Sequence, residues 1–145
     1  KRIETDELKD NILGVSFTIA CDVTNPLLSV QGATYIYGPQ KGANQHMLKT
    51  LEKGMYNFAN TTQKTLKIDY RDKPGSGAAG GLGFALVSYL KGELKSGFNI
   101  VSEETNLKRH IQNTEMVVTG EGKIDAQTAQ GKVLSRLGKL CQDEK

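Results

Sequence analysis

Val117-Val118-Thr119-Gly120-Glu121-Gly122-Lys123-Ile124-Asp125-Ala126-Gln127-Thr128-Ala129-Gln130-Gly131-Lys132 is a short apolar run that breaks into glycines, carboxylates and lysines before a helical pattern begins. Strand, polar glycine loop and helix in that order are how an α/β protein builds a site. The strand delivers polar groups to its carboxyl end, and the helix that follows turns its free N–H groups and positive dipole end toward an anion. Two further stretches share this character: Asp22-Val23-Thr24-Asn25-Pro26-Leu27 and Pro74-Gly75-Ser76-Gly77-Ala78-Ala79-Gly80-Gly81-Leu82-Gly83.

Outward from these loops, alternation of Val15, Phe17, Ile19 and Cys21 with smaller polar residues predicts a strand that ends at Asp22. Residues 31–37 allow a short helix or a strand, and Gly38-Pro39-Gln40-Lys41-Gly42 reads as a loop. Met47, Leu48, Leu51, Met55, Phe58 and Ala59 fall on one helical face behind Asn44 as N-cap, with a short strand expected around 66–70. Ala78, Leu82, Ala85, Leu86, Tyr89 and Leu90 predict the buried stripe of a helix closed by Gly92. Phe98, Ile100 and Val101 suggest another strand, Ser102 a cap with Glu103 and Glu104 in the first turn, and residues 116–119 a strand. Val133, Leu134, Leu137, Leu140 and Cys141 form the apolar face of a last helix. The class is therefore α/β, a mixed or parallel sheet with flanking helices, in one domain over residues 1–145.

Bulk properties narrow the function. The chain has 145 residues, enough for one core, and a net charge of +3 with both signs interspersed. No basic run alternates with aromatics, so nucleic acid is not an expected partner. No apolar stretch approaches the ~20 residues of a membrane span, and no signal peptide is legible, so a cytoplasmic location and no membrane partner are expected. Cys21 and Cys141 follow no metal or redox spacing. The first residues, Lys1-Arg2-Ile3-Glu4, and the last, Gln142-Asp143-Glu144-Lys145, read as cut ends, so a fragment is expected.

Gly75-Ser76-Gly77-Ala78-Ala79-Gly80 satisfies G-x-G-x-x-G, but Arg71-Asp72-Lys73-Pro74 stands where a dinucleotide fold would have a strand. Small residues there, with Gly81, let backbone approach an anion; they equally permit close packing, and the two readings weigh the same. Glu121, Lys123, Asp125, Gln127 and Lys132 could hold Mg²⁺, take a hydroxyl proton or neutralise phosphate. Asp22 has the same strand-end placement, with an Asx-turn as its structural alternative. Lys41 could reach a phosphate, or simply be solvated. His46 and His110 read as surface residues, and no Cys–His or Ser–His–Asp arrangement is legible.

Asp22–Leu27, Gly38-Pro39-Gln40-Lys41-Gly42-Ala43, the glycine run 75–83 and Thr119–Lys132 together resemble, in order and spacing, the type I glycerate kinase family, over about residue 15 to the end. The resemblance implies a two-domain α/β enzyme with its site in the interdomain cleft, of which this chain is a central fragment covering most of the second domain. It implies ATP-dependent phosphorylation of D-glycerate to phosphoglycerate with Mg²⁺, with ATP and D-glycerate as small-molecule partners. Asp22 or Asp125 would accept the hydroxyl proton or hold the metal, and Asp125 and Glu121 are the metal candidates. Lys41 and Lys132 would bind phosphate or the glycerate carboxylate, while Asn25, Gly75, Ser76, Gly77, Gly80, Gly81, Lys123 and Gln127 would line the substrate and phosphate site. Ser29 departs from the family's glycine after Asn25-Pro26-Leu27-Leu28, and the tail at 143–145 departs from its continuation. Alternatives are a catalytically inactive module that binds an anion or nucleotide, and a packing domain without a ligand. Apolar surface left by an absent domain would favour self-association.

Overall fold

The structure, a computed structural model, describes residues 2–8, 14–120 and 133–144. It divides into two compact units, 1–95 and 96–145.

In the first unit β1 (Thr18–Ala20) and β2 (Glu93–Lys95) pair in parallel, Thr18 opposite Glu93 and Ala20 opposite Lys95. Glu93 N–H to the Phe17 carbonyl (2.9 Å) and Cys21 N–H to the Lys95 carbonyl (2.8 Å) extend the ladder at both ends. Parallel neighbours need a crossover. Here it carries α1 (Ala33–Tyr37), a 3₁₀ turn (Pro39–Lys41), α2 (Gln45–Leu66) and α3 (Ala78–Leu90). Leu27, Ala59 and Phe84 form the core, with Leu28, Met55, Phe58 and Tyr70 packed against it. Phe58 meets Phe84 edge-on and stacks on Tyr89, with ring centroids 5.5 and 6.2 Å apart.

Residues 31–37, open to either reading, resolve as helix. Asn44 caps α2 as expected, its side chain accepting from the Met47 N–H at 3.0 Å. The helix then runs to Leu66, through the polar stretch where it was expected to stop. The strand expected at 66–70 is absent: Lys67 ends the helix in the left-handed region and residues 68–70 have no regular secondary structure. Arg71 holds this stretch instead. Its guanidinium donates to the Asp69 carboxylate (2.8 Å) and to Gln63 (3.0 Å), and its carbonyl accepts from the Leu27 N–H (2.8 Å). That bonding also draws the Asp69 carboxyl below its ordinary pKa range, overriding partial burial.

The buried stripe of α3 is Phe84, Val87 and Ser88 with Gly81 and Gly83, and Leu82, expected inside, is 54% exposed. The reason lies in its first turn, where Ala79, Gly80 and Gly81 all have positive φ (53°, 77° and 99°). A helical wheel drawn through residues 78–90 assumes a right-handed start that the backbone does not make. Lys91, also left-handed, closes the helix, and Gly92 follows it. A β-carbon on Gly92 would lie 2.2 Å from Ile19 Cδ1, so its value is close approach to β1.

The second unit contains α4 (Gly97–Glu104), α5 (Leu107–Gln112) and α6 (Val133–Asp143). The stretch around Phe98, Ile100 and Val101 is helix, not strand, and Ser102 lies inside α4, whose N-cap position is Ser96. Glu144 joins the ends of this unit, accepting from Lys108 Nζ (2.6 Å) and Gln112 Nε2 (2.5 Å). Ile111 and Leu137 are buried, as the apolar face of the last helix requires. The strand expected at 116–119 forms no ladder among the described residues, and Val118 is 83% exposed. An apolar run becomes a strand only when a neighbour takes its N–H and C=O groups, and the described sheet consists of β1 and β2.

Two glycines of opposite character test this packing. A β-carbon on Gly83 would sit 2.2 Å from the Gly75 carbonyl oxygen, a backbone atom that cannot swing aside, whereas one on Gly54 meets nothing within 4 Å. Gly83→Ala is expected to lower the urea midpoint by the equivalent of about 2 kcal/mol, and Gly54→Ala to raise it by about 0.5–1 kcal/mol. Because the folded-state pKa of Asp69 is depressed, its contribution is present above the unfolded value and lost as pH falls through the folded one. Asp69→Asn is therefore expected to destabilise at neutral pH and to flatten the decline of stability toward low pH, read as urea midpoints from pH 7 down to pH 3.

Candidate functional site

The site is assembled where β1 ends. After Cys21 leaves the ladder, Asp22 is exposed and the chain turns through Asn25-Pro26. The Asn25 side chain is committed on both sides, donating from Nδ2 to the Gln31 carbonyl and accepting at Oδ1 from the Tyr37 hydroxyl, each at 2.8 Å. Burial, with a smaller effect of the Cys21 thiol, raises the Tyr37 pKa, which keeps that hydroxyl a protonated donor. Asn25 thus shapes the turn, and its carbonyl accepts from the Gly77 N–H at 2.8 Å.

The glycine run is pressed into this turn from the other side. A β-carbon on Gly77 would stand 2.2 Å from the Pro26 carbonyl oxygen; one on Gly75 would crowd Cys21 Sγ and Leu94 Cδ1 at 3.0 Å. Ser76 is 0% exposed, and its hydroxyl donates to the Tyr70 carbonyl at 2.5 Å, so it anchors the loop from within. Its carbonyl accepts from the Phe84 N–H (2.9 Å), and that of Gly77 accepts from Gly80 (3.1 Å) and Gly81 (3.3 Å).

Beyond Gly77 the backbone reverses hand. Three successive left-handed residues are a conformation that costs an L-residue about 1–2 kcal/mol each, and two of the three are glycine. Ala79 and Gly80 are exposed, and the Lys41 ammonium, from the 3₁₀ turn, lies 3.7 Å from the point a Gly80 β-carbon would occupy. The Gly80 and Gly81 N–H groups are spent on the Gly77 carbonyl, so it is the Lys41 ammonium above this turn that suits a carboxylate or phosphate. Gly81 faces inward, where a β-carbon would strike Met55 Cε at 2.3 Å. Both readings of the glycines therefore hold at different positions: Gly75, Gly77, Gly81 and Gly83 permit packing, and Gly80 faces solvent.

Ser29 has φ 93°, a strained value for serine. Its N–H donates to Glu52 Oε1 at 3.0 Å and its hydroxyl accepts from Gln31 N–H at 3.3 Å. These bonds hold the turn with a serine side chain at the left-handed position. The structure brings together Asn25, Lys41, Gly75, Ser76, Gly77, Gly80 and Gly81, with Asp22 at the end of the same strand. Glu121, Lys123, Asp125, Gln127 and Lys132 lie outside the described residues. Sequence reasoning missed Tyr37, which orients Asn25, and Tyr70, whose carbonyl fixes Ser76; both act through contacts more than five residues away, for which the local pattern gives no signal. His46 and His110 are exposed, as expected.

No three His, Cys, Asp or Glu side chains gather to hold a metal among the described residues, and no helix among them is long and apolar enough to cross a membrane. The family model for the Glycerate kinase family matches residues 1–145. The chain is 48% identical over 126 residues to the Glycerate 2-kinase of Escherichia coli K12, covering 87% of this chain and 32% of that protein. It is 44% identical over 130 residues to the Glycerate kinase of Bacillus subtilis 168, covering 90% and 34%. A crystal structure assigned to glycerate kinase 2 of Salmonella typhimurium LT2 superposes with a TM-score of 0.88 at 34% identity, covering all of this chain and 39% of that one. The chain spans about a third of the length of the relatives it matches. With the family's motifs in order along its length and its fold in the same arrangement, the chain belongs to the glycerate kinase family.

Proposed function

We propose that this chain carries one side of a glycerate kinase active site, and that the complete protein transfers the γ-phosphoryl group of ATP to D-glycerate, giving phosphoglycerate and ADP. The observation that carries the reading is the Lys41 ammonium over the exposed left-handed backbone at Gly80, joined to family membership.

Phosphoryl transfer asks a protein mainly for positioning and charge neutralisation. Lys41 and Lys132 draw phosphate oxygens or the glycerate carboxylate to the glycine turn. Asp22 or Asp125 accepts the proton of the attacking hydroxyl. Mg²⁺ keeps most of its water and needs one or two carboxylates plus phosphate oxygens. Asp125 and Glu121 would hold the ion, with Asp22 as the described carboxylate near the strand end. When bound, the ion neutralises charge on the phosphates. Glu121, Lys123 and Gln127 complete the polar lining, and Asn25, Ser76 and Gly77 hold the loops in register. The apolar groups left at the surface, among them Met116 and Val118, favour self-association, which sedimentation at rising concentration reads.

Thermal melting of this chain with D-glycerate and with Mg·ATP is expected to shift upward, since a ligand that prefers the folded state stabilises it; Lys41→Met is expected to remove most of the shift. In a full-length family enzyme, the change corresponding to Asp125→Asn is expected to lower kcat by ~10²-fold or more. A ligand-induced shift here, with turnover in the full-length variant near normal, would instead identify a binding module whose chemistry does not use this carboxylate.

A further inference from the structure

The strands of the first unit have a second end. Val15, which precedes β1, and Lys91 and Gly92, which precede β2, line a cavity of about 830 Å³, on the far side of the ladder from Asp22 and the glycine turn. That volume lies within the range of small-molecule sites.

Its walls combine apolar groups with a few polar ones. Leu66 from the end of α2 and Val87 from α3 supply aliphatic surface, and Tyr70 and Tyr89 supply rings. The Tyr89 hydroxyl is already paired with Thr62 Oγ1 at 2.6 Å, so this tyrosine offers only its apolar ring. Ser88, on the same wall, is 4% exposed, and its hydroxyl has no hydrogen-bond partner among the described residues. That oxygen has under 1 Å² of accessible surface, so it stays behind the wall and offers a cavity ligand no hydrogen bond. The charge is of one sign: Lys73 and Lys91 line the cavity and no carboxylate does among the described residues. Lys73 Nζ rests 5.2 Å from the centre of the Tyr70 ring, which holds the cation against the wall.

We propose that this cavity binds a small monocarboxylic acid with an apolar body. The body lies against Leu66, Val87 and the tyrosine rings, and the carboxylate meets Lys73. The cavity shares Tyr70 and Lys73 with the segment whose carbonyls anchor Ser76, but the proposal does not depend on the phosphoryl-transfer assignment.

The test is an amide NMR titration of the ¹⁵N-labelled chain with 4-phenylbutanoate, using 4-phenylbutan-1-ol as the uncharged control. The expected result is saturable shifts at Tyr70, Lys73 and 87–92, weaker binding of the alcohol, and about tenfold weaker binding of the acid to Lys73→Glu with the alcohol unaffected. Shifts that do not saturate, that scatter over exposed apolar residues such as Val30, Met116 and Val118, or that are as large for the alcohol as for the acid would overturn the proposal. Should Lys73→Glu fail to fold, the unaltered chain's shift map and its preference for acid over alcohol decide the question alone.

Discussion

The Gly77 amide donates to the Asn25 carbonyl across a gap in which a β-carbon would sit 2.2 Å from the Pro26 oxygen. One backbone bond of this sort is worth only about 1 kcal/mol net, but the geometry it demands fixes the unit. With Gly77 against Pro26, Leu27 falls to 0% exposure beside Ala59 and Phe84. Leu27 then donates to the Arg71 carbonyl and accepts from the Ala33 N–H, which ties the loop after β1 to the segment after α2 and to the start of α1. The glycines that make the site are thus also those that let the core close.

This shared use explains which candidate residues face outward. Ser76 and Asn25 spend their side chains inside the protein, on Tyr70 and on Gln31 and Tyr37. Toward solvent stand the backbone at Ala79 and Gly80, with the Gly80 N–H already given to the Gly77 carbonyl, the Lys41 ammonium, and Asp22 just past the strand end. Strain at Ala79 accompanies that exposure, because a non-glycine residue sits in the left-handed region with φ 53°. On the proposed function, an anion arriving at this turn would have little backbone to rearrange.

Much of this was legible beforehand. Apolar alternation located β1, Asn44 announced α2, and four motifs in sequence pointed to the family that the comparisons identify. The misses share a cause, which is that local pattern cannot see a distant partner. The stretch at 68–70 owes its place to Arg71 reaching Asp69 and Gln63, not to a ladder. Leu82 was placed inside because a wheel through 78–90 presumes a right-handed first turn, and three residues of opposite hand rotate the stripe onto Phe84 and Val87. Glu93–Lys95 carries too little apolar signal to announce a strand, yet pairs with β1 because Gly92 allows contact with Ile19. Of the site, the loops were legible as loops, but their division into anchors and exposed groups required the fold.

On the proposed function, the left-handed turn under Lys41 receives an anion. The direct measurement is the response of backbone amides of the labelled chain to inorganic phosphate and to D-glycerate. The account predicts saturable changes centred on Ala79, Gly80 and Gly81, reduced in Lys41→Met. Amides at 79–81 that stay unmoved while both ligands saturate elsewhere, or that move equally in Lys41→Met, would contradict it.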